Sequence, residues 1–151
     1  LARRHRERVD MGLTIRVNAF DDWLFGLDLR AWNERFTATT FIESGLGELG
    51  NLVSCIAGFP ARSKDERSFI FGTRDSVHSR GYCSLLFRAI DSAGHAVVDV
   101  VVEDGGPPGG LAADMRIAKA EFSIPVEAAE IDRFVLALRE VQRTETGEAG
   151  W

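Results

Sequence analysis

Apolar and polar positions alternate with a period of two along much of this chain and switch to a helical period twice. Leu13, Ile15 and Val17 flank Thr14 and Arg16, the pattern of a strand with one buried face. Leu27, Leu29 and Ala31 repeat it, with Asp28 and Arg30 turned outward. Asn33 and Glu34 predict a turn, and the β-branched and aromatic residues of 35–42 predict a strand that pairs back. Leu46, Leu49, Leu52, Val53 and Ile56 then recur at helical spacing, with Ser44 as N-cap, Gly58 as stop and Pro60 beyond. Gly45, Gly47 and Gly50 each weaken that helix by up to ~1 kcal/mol relative to alanine. Tertiary packing, or the close approach of another backbone, must hold it.

Residues 61–67 read as a polar loop, 68–73 as a short strand and 74–80 as a second polar connection. Two strands over 82–90 and 95–104 flank the turn Asp91-Ser92-Ala93-Gly94 and form an antiparallel hairpin. On its second strand Val98, Val100 and Val102 share the core face, while Val97, Asp99, Val101 and Glu103 share a partly solvated one. The glycine-proline run over 105–110 predicts a mobile loop. A last strand covers 117–124, with Ala118, Ala120, Phe122 and Ile124 on one face. Pro125 then opens a helix whose stripe is Ile131, Phe134, Val135, Leu138 and Val141. The tail from Thr144 reads as frayed. The resulting order β-β-β-α-β-β-β-β-α predicts an α+β fold, one antiparallel meander of six to seven strands with two helices on one face.

Composition narrows the class. The 151 residues suit one domain, over 11–143, and the apolar fraction of 45% with 27% charged is that of a soluble globular protein. No apolar run is long enough to span a membrane. Cys55 and Cys83 fall in a predicted helix and strand, where buried thiols and a reducing compartment are the expectation. Residues 1–10 are basic and read as a disordered tail or a start-site artefact. Without them the chain holds 14 basic and 21 acidic residues, a net of −7. Such a body repels nucleic acid and attracts basic proteins.

Candidate chemistry is sparse. Gly45, Gly47 and Gly50 spell the glycine pattern of a dinucleotide loop, after a strand and opening a helix. Against a nucleotide stand the Thr37, Thr39 and Thr40 of the preceding strand, and Glu43 where a diphosphate would approach. An anion site at this helix N-terminus is therefore the alternative reading. Cys83 with His78 or His95 is the conceivable nucleophile and base outside the tail, but Cys83 shares a core face with Leu85 and Phe87. Neither a C-x-x-C nor an H-x-x-x-H spacing occurs, so no metal, cofactor or enzymatic activity is expected. What remains is surface: Trp23, Phe25 and Trp32 among Asp21, Asp22, Asp28 and Glu34, and a hairpin carrying Asp91, Asp99, Glu103 and Asp104. Aromatics among acids suit a protein interface.

The segment 43–59, the hairpin 85–104 and the closing stretch 120–141 together resemble the WapI-type bacterial immunity proteins and related small bacterial domains. The resemblance covers about 13–143 and is one of pattern. It implies a cytoplasmic, non-enzymatic protein that neutralises a toxin but assigns no residues. The acidic body adds occlusion of a basic toxin as the mechanism, with Asp28, Trp32, Asp99, Glu103 and Asp104 as the contact residues that the charged and aromatic surface itself suggests. A ligand-binding domain using Gly45, Gly47 and Gly50, or a structural homodimer subunit, are the other expectations.

Overall fold

The computed structural model describes residues 10–19, 25–43, 45–74, 81–104 and 118–151. The predicted cap Ser44, the glycine-proline loop, most of the 74–80 connection, Trp23 and the basic tail up to residue 9 lie outside the described residues. The elements are β1 (Gly12–Ala19), β2 (Phe25–Trp32), β3 (Thr37–Glu43), α1 (Gly47–Ile56), β4 (Glu66–Gly72), β5 (Gly81–Ala89), β6 (His95–Asp104), β7 (Ala118–Glu127), α2 (Ala128–Thr144) and β8 (Glu148–Gly150).

The class is α+β, but the single meander gives way to two four-stranded antiparallel sheets, β3-β2-β1-β8 and β4-β5-β6-β7. The physical reason is α1. It carries the chain out of the first sheet after β3, so β4 begins a new ladder. Each sheet has one apolar face. Leu13, Ile15, Leu27, Leu29 and Ile42 from the first join Phe71, Leu85, Phe87, Val98, Val100 and Ile124 from the second in one core. Leu49, Leu52 and Ile56 of α1 and Ile131, Phe134 and Leu138 of α2 complete it, as their helical spacing predicts. The helices pack on each other, and α2 reaches both β8 and β7. They therefore bridge two sheets instead of covering one face of one sheet.

The sheets meet where β3 lies against β5 and β6. The Thr40 hydroxyl, buried in the apolar face, donates to the Glu103 carbonyl at 3.3 Å. Gly81 starts β5 beneath this contact. A Cβ there would sit 2.3 Å from the Phe41 carbonyl oxygen and 2.4 Å from the Thr40 hydroxyl, so glycine is required by the approach of the two sheets. The Asn33 turn forms as predicted, its side-chain oxygen accepting from the amides of Arg35 and Phe36, both at 2.9 Å. Its amide nitrogen crosses to the Ser123 carbonyl on β7.

Two boundaries differ from expectation. Pro125 lies inside β7, opposite Val97, rather than opening α2. β7 is the outermost strand of its sheet, where a proline nitrogen can face away from the ladder. Glu127 and Glu130 cap α2 instead, each side chain accepting from the other residue's backbone amide. Second, the chain does not fray after Thr144. Glu145 adopts a left-handed conformation that ends the helix. Then β8 pairs with β1, Ala149 is buried, and the Trp151 ring stands edge-on to Phe134 at 4.9 Å.

Candidate functional site

Strand alternation in the first sheet leaves a polar and aromatic outer face. Register aligns it in rows across the strands. Arg16, Asp28 and Phe41 stand side by side on β1, β2 and β3, and Thr14, Arg30 and Thr39 form the next row. Trp32 lies one row further, opposite Thr37. With Asp104 from the end of β6 and Glu148 from β8, these side chains line an open cleft of about 650 Å³. That volume lies within the usual range of ligand and anchor-residue pockets.

The cleft's charges are unevenly matched. Arg16 donates to Asp28 at 2.9 Å, and the Asn18 amide donates to the same oxygen at 3.1 Å. The hydrogen bond to Asp28, then its charge, hold the exposed Arg16 guanidinium above its ordinary pKa, and Glu148 adds to this. Arg30 lies 4.8 Å over the Trp32 ring, a cation–π contact. The Trp32 indole nitrogen is buried with no hydrogen-bond partner among the described residues. The ring is held by its faces and not by its polar edge.

The five acidic and aromatic residues expected to contact a partner separate into two groups. Asp28, Trp32 and Asp104 come together in the cleft. Asp99 and Glu103 lie instead on the outer face of the second sheet, and both are already paired. Arg88 forks onto Asp99 at 2.6 and 3.1 Å while the Ser123 hydroxyl donates at 2.7 Å. The Arg88 hydrogen bonds are the main reason the Asp99 carboxylate sits below its ordinary pKa. Glu103 is held by Arg74 at 3.2 Å and by Lys119 at 4.0 Å. The pattern of outward-facing positions placed Asp28 and Arg30 on one face. It carried no signal for Thr14, Thr39 and Phe41 as their neighbours, because cross-strand register depends on turns that alternation does not specify.

Added Cβ atoms at Gly45 and Gly47 would meet nothing within 4 Å, whereas one at Gly50 would meet the Gln142 side chain of α2. α1 begins at Gly47 with Leu46 as a cap that offers no side-chain bond. The β3–α1–β4 unit joins two different sheets and every strand pairing among the described residues is antiparallel, whereas a dinucleotide fingerprint belongs to a parallel βαβ unit.

Of the two imidazoles considered for Cys83, His78 lies outside the described residues and His95 is separated from the thiol. Cys83 is fully buried opposite Val102, and burial pushes its thiol up to about 12. His95 sits at the far end of the hairpin, its Nδ1 2.7 Å from Asp91, whose carboxylate also accepts the amides of Ala93 and His95. Cys55 is half-buried, its Sγ donating to the Ser68 carbonyl at 3.4 Å, and burial raises its pKa as well. Iodoacetamide at pH 8 is therefore expected to leave Cys83 unmodified in the folded protein and to modify it in urea, read by intact mass. Stoichiometric labelling of Cys83 without denaturant would mean that the strand opens.

Among the described residues no three His, Cys, Asp or Glu side chains cluster to hold a metal ion, and no helix is long and apolar enough to cross a membrane. Compared with protein-family models, with curated proteins and with solved structures, the chain matches none.

Proposed function

We propose that this chain is a non-enzymatic binding protein of the immunity type, and that it neutralises a toxin by occluding it with the outer face of the first sheet. The observation that supports the reading is the open cleft, which brings Asp28, Trp32 and Asp104 together with Arg16, Arg30 and Phe41. An aromatic, an arginine and satisfied ion pairs in one concavity are what a protein interface concentrates at its energetic centre. The net charge of −7 over 11–151 acts at longer range. It steers a basic partner toward the surface and speeds association. Because Asp28, Asp99 and Glu103 are each paired within the chain, docking relies on the shaped cleft more than on unpaired acids.

The test is co-purification at low salt with the protein encoded by the adjoining reading frame, using the wild type and Thr39→Trp. Thr39 is exposed on the cleft floor, so a large ring there fills the cleft without touching the core. The expected result is a complex with the wild type only, with both proteins melting alike. No complex at all, or one indifferent to the substitution, would overturn the proposal.

A further inference from the structure

We infer that Arg30, flanked by the hydroxyls of Thr14 and Thr39, anchors a carboxylate side chain of the docked protein partner. The inference rests on the reading of this sheet face as the docking surface and adds the chemistry it recognises. Thr14 and Thr39 lie directly opposite Arg30 on the two neighbouring strands. Residues so placed on one face have Cβ atoms about 5 Å apart. The row therefore offers a guanidinium fork and two hydroxyl donors side by side on the cleft floor. Trp32 takes one face of the Arg30 guanidinium at 4.8 Å. That contact restrains the side chain and leaves its N–H edges for a bidentate acceptor.

Arg16 on the same face has its acceptor in Asp28. Among the described residues no carboxylate lies within ion-pair distance of Arg30, and the ring of Trp32 is its partner. The other charges of the cleft select the ligand. Asp104 and Glu148 line it too, so a multiply charged phosphate or a nucleic acid backbone meets more repulsion than a single carboxylate does. The planar carboxylate also matches the guanidinium fork. Phe41, in the adjoining row, gives an apolar surface for the residue beside that acid. A protein segment fits better than a free acid, because small-molecule sites enclose most of their ligand and this cleft is open on a sheet face.

The test uses the full chain, isotope-labelled, titrated with N-acetyl-Phe-Glu-Phe-amide, with its Phe-Gln-Phe counterpart and with free phenylacetate. The glutamate peptide is expected to move the amide resonances of Thr14, Arg30 and Thr39 saturably. The glutamine peptide should bind about tenfold more weakly, the loss of one charge-assisted contact. Arg30→Met should abolish that difference and Arg30→Lys should keep part of it, with the melting midpoint unchanged in both. Equal binding of the two peptides, or a difference that survives Arg30→Met, overturns the carboxylate anchor while leaving the docking face standing. Tighter binding of phenylacetate than of the glutamate peptide overturns the protein source. No shift on this face with either peptide overturns the docking surface itself.

Discussion

Replacing Asp65 by alanine is expected to lower the unfolding free energy by about 3 kcal/mol, as removing one partner of a buried ion pair does. The polar loop predicted over 61–67 conceals this residue, which is 3% exposed. Its carboxylate accepts from Arg67 at 2.8 Å and from the Ala61 amide at 2.8 Å. Arg67 in turn donates to the carbonyls of Cys55 and Ala57 at 3.2 and 2.8 Å and lies 5.5 Å over the Phe59 ring. One ion pair thus ties the end of α1, where orphan carbonyls need donors, to the start of β4. Without Asp65 the guanidinium keeps its carbonyls but loses its counter-charge, and the Ala61 amide loses its acceptor. Urea unfolding measures the effect, and a loss below about 1 kcal/mol, the size of an ordinary surface change, would show that the node is not structural. Acid supplies a second check. The hydrogen bond from Arg67, and next the Ala61 amide, depress the Asp65 pKa in the folded state. The ionised carboxylate therefore stabilises the fold above its unfolded pKa of about 3.9, and that increment disappears as pH falls through the lower folded value. The gap between wild type and Asp65→Ala should be constant near neutrality and close in strong acid.

Trp151→Ala is expected to cost a similar amount, about 3 kcal/mol, at the lower end of the range for removing a packed tryptophan. Its ring stands against Phe134 and Phe87, both fully buried. Its backbone exchanges hydrogen bonds with Leu13, at 3.3 and 3.1 Å. The indole nitrogen is buried without a partner among the described residues, so Trp151→Phe, which removes the orphan donor and keeps most of the ring, should recover more than half of the loss. Recovery of less than that would mean the indole nitrogen has a partner in solution. Because α2 packs on β8 and β8 pairs with β1, amide exchange of β1 should accelerate with that of β8 in the alanine variant.

Sequence patterning reached far into this fold. Apart from Leu46, which caps α1 and is only partly buried, the helical stripes predicted in α1 and α2 are the residues that are buried, and Val98, Val100 and Val102 face the core while Asp99 and Glu103 do not. Those are local periodicities, imposed by 3.6 residues per helical turn and two per strand repeat, so one sequence window suffices to read them. The division into two sheets was not legible, because strand order is decided by which edges meet after α1 turns the chain. The tail after Thr144 looked frayed because Glu148, Ala149 and Gly150 carry no strand propensity. β1 supplies the partner edge that makes them a strand.

For the candidate site the same boundary holds. Alternation alone put Asp28 and Arg30 on a common outward face, and composition alone made the body acidic. Tertiary structure decided that Asp28, Asp99 and Glu103 are consumed by arginines. It likewise set Thr14 and Thr39 beside Arg30 and curved that face into a cleft with Asp104 at its edge. Charge and periodicity are properties of neighbouring residues in one chain segment. Which charges are neutralised within the chain depends on register and sheet packing, and those exist only once distant segments have met.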